Sequence, residues 1–123
     1  MNNGKKIVLV ADDDIDLLLL VKMQLQKAGF IVQLSLNGKE ITKMITEDHP
    51  DIILLDIAMD GISGGDICKK LKSDAATSSI PIIMFSANEN IEQIVMACGA
   101  NDFIKKPFNV QAIKEKILHY VPS

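Results

Sequence analysis

The 123 residues contain no arginine and no tryptophan, so all 13 basic side chains are lysines. Without a guanidinium fork the chain lacks the commonest tool for gripping a phosphate bidentately or reading guanine. Aromatic residues make up only 4%, which removes the stacking platforms of single-stranded nucleic acid binders. Both absences argue against direct nucleic acid binding. Cys68 and Cys98 are too few and too far apart for a disulfide framework or a zinc cluster, and each sits inside an apolar pattern that suits a core residue. Long hydrophobic runs are missing too. The first apolar run, Ile7–Ala11, is far shorter than a signal-peptide core or a membrane span. The expectation is a cytoplasmic protein with no membrane partner.

What is present suits one globular domain spanning 1–123, with a core over about 6–120. Hydrophobic residues form 48% and charged residues 24%, which is enough apolar matter for a core and too much for a disordered segment. The net charge is -3. Short β-branched runs alternate with stretches of helical period, the pattern of an α/β domain with a parallel sheet. Strands are expected near 7–11, 31–36, 51–56, 80–86 and 101–104, and helices near 14–28, 38–47, 64–72, 90–97 and 109–120. Gly29 and Gly99 stand where helices should stop, and Asn37 and Asn109 where they should start. Met23, Met44, Met59, Met84 and Met96 read as core or near-core fillers, and His49 and His119 as ordinary surface residues.

The runs Ile7–Val10, Ile52–Leu55 and Ile82–Phe85 are apolar throughout, as strands covered by helices on both faces are. The second strand carries Gln33 and Ser35 and the fifth opens on Asn101, so both read as edges. Right-handed crossovers then give the order 2-1-3-4-5, a flavodoxin-like doubly wound sheet of five parallel strands with five helices. Ligands in such sheets bind beyond the carboxyl ends of the strands, where the strand order reverses. Those ends carry Asp12–Asp13, Asp56, Ser86 and Lys106. Taken singly, each has a plain explanation: acids favour a helix N-terminus, and a serine or a lysine pair belongs in a turn. Together they form a cleft with three carboxylates, whose mutual repulsion calls for raised pKa values or a cation. Hard oxygen ligands favour magnesium, and a hydroxyl and an ammonium beside them suit phosphoryl transfer to a carboxylate.

At this point the sequence resembles the receiver domain of two-component response regulators. The motifs that carry the resemblance are Val8-Leu9-Val10-Ala11-Asp12-Asp13, Asp51-Ile52-Ile53-Leu54-Leu55-Asp56-Ile57-Ala58-Met59, Ile83-Met84-Phe85-Ser86-Ala87 and Phe103-Ile104-Lys105-Lys106-Pro107-Phe108. It covers nearly the whole chain, from Ile7 to about Tyr120. The resemblance implies that Asp56 is the phosphoacceptor. It also implies that Asp12, Asp13, Asp56 and the backbone carbonyl of Ala58 hold Mg2+, with Asp13 in direct contact and Asp12 behind a water. Ser86 becomes the switch hydroxyl, Lys106 the phosphate-contacting lysine ahead of a cis Pro107, and Phe103 the aromatic switch residue without a hydroxyl.

One departure follows Met59, where the family usually has proline and this chain has Asp60–Gly61, so the loop loses stiffness. An alternative of another class is an aspartyl-phosphate phosphatase of the haloacid dehalogenase type, which needs Asp-x-Asp-x-Thr after the first strand. This chain reads Asp12-Asp13-Asp14-Ile15-Asp16 there. A receiver-like binding module that is never phosphorylated is the third reading. On a helical wheel, Leu17, Leu18, Leu20, Val21, Leu25 and Ala28 face the sheet, which leaves Leu19 and Met23 on the far side. The resemblance makes that pair a docking site for a sensor histidine kinase or a histidine phosphotransfer domain. The last helix runs into Val121-Pro122-Ser123, so no effector domain is expected within the chain. Output would pass to another protein, or the phosphoryl group to another histidine.

Overall fold

In the computed structural model the chain is described over residues 5–59, 62–106 and 109–121. The elements run β1 (Ile7–Ala11), α1 (Ile15–Lys27), β2 (Ile31–Ser35), α2 (Gly38–Asp48), β3 (Ile52–Asp56), β4 (Ala58–Met59), β5 (Ile62–Ser63), α3 (Gly64–Ser73), β6 (Ile82–Ser86), α4 (Ile91–Cys98), β7 (Asp102–Lys105) and α5 (Val110–Tyr120). The five long strands pair in parallel in the order β2-β1-β3-β6-β7. This is the expected 2-1-3-4-5 arrangement once the two-residue strands β4 and β5 are left out of the count. Those two form a separate antiparallel pair, Ala58 opposite Ser63 and Met59 opposite Ile62, within a stretch the sequence pattern leaves as loop. The expectations about Asp60–Gly61 and about a cis Pro107 fall outside the described residues.

Strand alternation sorts the core into two layers. Val8, Val10, Ile52, Leu54, Ile83, Phe85 and Ile104 point to one face and are covered by α1 and α5 through Leu18, Val21, Leu25, Ile113 and Ile117. Leu9, Ala11, Ile53, Leu55, Ile82 and Met84 point to the other, under Ile41 and Ile45 of α2, Cys68 and Leu71 of α3, and Ile91, Val95 and Cys98 of α4. Each fully buried aliphatic side chain contributes about 1.5–3 kcal/mol from removal of apolar surface from water. At the amino end of the sheet the ladder closes with the Ile7 N–H donating to Asp51 Oδ2 at 2.7 Å and the Asp51 N–H to the Ile7 carbonyl at 2.8 Å.

Asn37 and Asn109 cap α2 and α5 through their side chains, and Gly29 and Gly99 take φ of 98° and 83° after α1 and α4, as their positions predict. Asp14 caps α1 by accepting from the Leu17 N–H, so that helix begins one residue later than its apolar pattern suggests. Gly64 is required for a different reason. A Cβ there would run into the Asp56 backbone carbonyl, and its own N–H donates to the Ile57 carbonyl at 2.6 Å, so only glycine lets α3 start this close to the end of β3.

Two expectations about exposure and one strand boundary are corrected. Leu20 is 45% exposed rather than set against the sheet: the stripe of Leu18, Val21 and Leu25 is narrow, and at about 100° per residue Leu20 falls well outside it. Met96 is 79% exposed rather than a filler, because α4 buries Ile91, Val95 and Cys98 and turns position 96 outward. Leu36 is exposed and lies beyond β2, which ends at the buried Ser35. Cys68 and Cys98 are free and buried as expected, and burial pushes the Cys68 thiol far above its usual range. Among the described residues no helix is long and apolar enough to cross a membrane.

Candidate functional site

The strand register aligns the charged groups. Ala11 pairs with Leu55, Asp56 with Phe85, and Phe85 with Ile104, so Asp12 and Asp56 leave neighbouring strands at the same height. Both lie on the α1/α5 face, two residues beyond Val10 and Leu54. Lys106 lies two residues beyond Ile104 and returns over that same face. Ser86 follows Met84 and so belongs to the other face. The four expected groups therefore converge from four strands and from both sides of the sheet.

The geometry is tight. Carboxylate oxygens of Asp12, Asp13 and Asp56 lie within 4.8 Å of one another, with Asp12 and Asp56 buried and Asp13 exposed. The Lys106 ammonium reaches Asp12 Oδ2 at 3.1 Å and Asp56 Oδ2 at 3.6 Å. The Asp12 Oδ1 atom accepts from the Asp14 N–H at 3.0 Å, and Asp56 Oδ1 accepts a long 3.4 Å bond from the Ala58 N–H. The Oγ of buried Ser86 accepts from the Asn88 N–H at 3.0 Å, and the Lys106 N–H donates to the Ser86 carbonyl at 2.8 Å. Phe103, partly buried, packs against the α2/α3/α4 layer. Leu19 and Met23 are exposed on α1, as the docking reading expects and the reading of Met23 as a core filler does not, and Ile15 and Leu20 beside them are exposed as well.

Among the described residues the cluster sets three carboxylates beside the Lys106 ammonium, which pairs with the two buried ones. Burial, and after it the neighbouring Asp12, raise the Asp56 carboxyl to about 6, with Lys106 opposing them. This donor set fits a small divalent cation: all its ligands are hard oxygens, three carboxylates share it, and exposed Asp13 offers access. A histidine or thiolate site is a different matter. His49 and His119 are exposed and distant in sequence, as the plain reading of them holds.

Two features of the site are not evident from its motifs. The Lys106 ammonium lies 5.2 Å from the centre of the Phe85 ring, a contact that the strand alternation of Ile83 and Phe85 with Ile104 and Lys106 would have flagged. Gly64 sets how closely the β4–β5 segment returns to Asp56, and nothing in its local sequence separates it from a helix N-terminal glycine.

A parallel five-stranded sheet of this order with an acidic cluster at its carboxyl edge defines a class, the flavodoxin-like α/β proteins that place chemistry at a topological switch point. Within that class the chain belongs to the response regulator receiver domain family, whose profile matches residues 8–118. It is 30% identical over 112 residues to the DNA-binding dual master transcriptional regulator RpaA of a Synechocystis strain, covering 89% of this chain and 46% of that protein. It is also 30% identical over 119 residues to the DNA-binding response regulator MtrA of Mycobacterium tuberculosis, covering 95% of this chain and 51% of that one. The chain thus spans about half the length of these curated relatives. Among solved structures it is similar to the chemotaxis protein CheY4 of Vibrio cholerae, with a TM-score of 0.88, 25% identity, and coverage of 96% of this chain and 100% of that chain. The signal receiver domain of a Bermanella marisrubri response regulator gives a TM-score of 0.87 and 25% identity, with coverage of 96% and 99%.

Family membership sets aside the haloacid dehalogenase alternative and supports a role in two-component signalling. It also corrects the exclusion of nucleic acid. These relatives are DNA-binding regulators about twice as long as this chain, so the lack of arginine and aromatics over its 123 residues says nothing against DNA as a partner of such proteins.

The buried carboxyl at Asp56 has a measurable cost. Between pH 4 and 6 the folded, metal-free protein holds a proton at Asp56 that the unfolded chain has released, so this group lowers stability as pH rises through that window. Asp56→Asn should therefore be the more stable protein at pH 7 by up to about 3 kcal/mol, with the gap closing toward pH 4. Urea denaturation of both proteins across this range, in chelator, measures it. A gap that does not change with pH would contradict the assignment.

Proposed function

We propose that this chain is a phosphoacceptor switch of two-component signalling, in which Asp56 takes a phosphoryl group from a phosphohistidine on a sensor kinase or a histidine phosphotransfer domain. The observation that carries this is the convergence on Asp56 of a second buried carboxylate, an exposed one and a single ammonium at the carboxyl edge of the sheet. In transfer, an Asp56 carboxylate oxygen forms a bond to phosphorus while the bond from phosphorus to the histidine nitrogen breaks. The electron pair stays on the imidazole, which takes up a proton. Asp56 must be ionised to attack, a condition met increasingly above its raised pKa.

Asp12, Asp13, Asp56 and the Ala58 backbone carbonyl would hold Mg2+, which when bound supplies positive charge against the oxygens of the incoming group. Lys106 orients from the other side, with its ammonium already set between Asp12 and Asp56. Ser86 would donate its hydroxyl hydrogen to a phosphoryl oxygen. The movement of Ser86 would let Phe103 sink further into the α4 side of the core, a population shift between two packings rather than a new fold. The surface changed is that of α4, β7 and α5. By likeness to the relatives above, the output of the whole protein is linked to DNA. The reading places the domain in the cytoplasm and gives it no catalytic turnover on other substrates.

We assign donor docking to α1. Leu19 and Met23 are 52% and 49% exposed, and Ile15 and Leu20 widen the patch next to the Asp12–Asp14 end of the helix. Leu19 is already half covered, so covering the rest gains about 1 kcal/mol, half of what full burial of a leucine brings, and a partner helix laid here would lie beside the acceptor carboxylate.

Incubation with a small acyl phosphate, read by intact mass, should add one phosphoryl group in the presence of magnesium and none in excess chelator or in Asp56→Asn. Equal labelling under all three conditions would overturn the assignment, and no labelling of the wild type would favour the unphosphorylated binding module. Leu19→Glu should slow transfer from a protein donor that phosphorylates the wild type by about tenfold, as expected for loss of roughly 1.4 kcal/mol of docking, while the small-donor rate stays unchanged. An unaltered protein-donor rate would remove α1 from the interface.

A further inference from the structure

We infer that Phe85 is a positioning residue for Lys106, its buried ring forming the platform that holds the ammonium between Asp12 and Asp56. The ring is 2% exposed and fixed by the core layer beneath α1 and α5, with its centre 5.2 Å from Lys106 Nζ. The placement follows from the register: Phe85 stands between Asp56 on β3 and Ile104 on β7, and Lys106 comes two residues after Ile104 on the same face. The ammonium thus has carboxylates on one side, at 3.1 and 3.6 Å, and an aromatic face on another.

A lysine needs such a support more than an arginine would. Its charge sits at the end of four flexible methylene groups and is strongly hydrated, so an unsupported head spends part of its time in solvent. The Lys106 side chain is 27% exposed, so that escape is open to it. The face of an aromatic ring attracts a cation but accepts no directed hydrogen bond that would compete with the carboxylates. The N–H donors stay aimed at the acids and, in the reading above, at the incoming phosphoryl oxygens. A leucine at position 85 would fill the core and offer no such attraction. The inference rests on the phosphoacceptor reading for its kinetic consequence alone; the placement of the lysine head is a property of the metal-free protein.

The test has one arm for each. In metal-free protein, the ε-methylene protons of Lys106 should be moved upfield by the ring current, keep that displacement in Phe85→Tyr, and lose it in Phe85→Leu. With a small acyl phosphate and magnesium, Phe85→Leu should be phosphorylated about threefold to tenfold more slowly, with Phe85→Tyr restoring most of the rate. In a Lys106→Ala background, Phe85→Leu should then add little further loss of transfer rate, because the effect of the ring on transfer runs through the lysine. Absence of the upfield displacement in the wild type overturns the inference, whether or not the leucine variant folds. So does a loss in Phe85→Leu that persists undiminished without Lys106. A wild type that shows the displacement but takes up no phosphoryl group would overturn the phosphoacceptor reading and leave the placement standing.

Discussion

The Lys106 ammonium, held between the buried carboxylates of Asp12 and Asp56, is the interaction on which the site depends. At an effective dielectric near 20, opposite unit charges about 4 Å apart attract by about 4 kcal/mol, and like charges repel by as much. One lysine can balance one of the two buried acids but not both, and exposed Asp13 brings a third carboxylate to the cluster. Burial first, and then the like charge of Asp12, raise the Asp56 carboxyl to about 6 against the pull of Lys106. A cleft so arranged gains from any added positive charge, and once the acids are neutralised it can receive a charged oxygen-rich group.

The fold makes this imbalance possible by keeping it at one edge. Both faces of the sheet are apolar and covered, so charge can collect only where the strands run out. The right-handed crossovers bring the ends of β1, β3, β6 and β7 to the same edge, and the register brings Asp12, Asp56, Phe85 and Ile104 to one height. Ser86 arrives from the opposite face, next in chain to the segment that leads into α4. In the proposed switch this matters because a hydroxyl drawn toward a phosphoryl group pulls on the α4 layer, where Phe103 is half-buried, rather than on the α1/α5 layer that holds the acids.

Much of this was legible in the residues. The apolar runs of β1, β3 and β6 announce central strands, and the polar positions Gln33 and Asn101 mark the edges, because burial on two faces leaves no room for polar side chains. Asp12, Asp56 and Ser86 are readable for the same reason, since each is the first polar group after a run that cannot hold one. The exposure of Leu20 was open to sequence reasoning as well, since at about 100° per residue it falls well outside the stripe of Leu18, Val21 and Leu25. What was not legible depends on distance in three dimensions. The β4–β5 pair has no apolar alternation to announce it, and the need for glycine at position 64 comes from the Asp56 carbonyl, eight residues earlier in the chain. The place of nucleic acid was misjudged because composition describes only the residues counted.

The central claim, that this charge arrangement exists to let Asp56 accept a phosphoryl group, is tested most directly by locating the group. Acyl phosphates on aspartate are reduced by borohydride to homoserine, which marks the residue in a peptide map. After incubation with a small acyl phosphate and magnesium, the account predicts homoserine at position 56 and nowhere else in the cluster. Homoserine at position 12 or 13, or a phosphoryl group that resists borohydride, would contradict it.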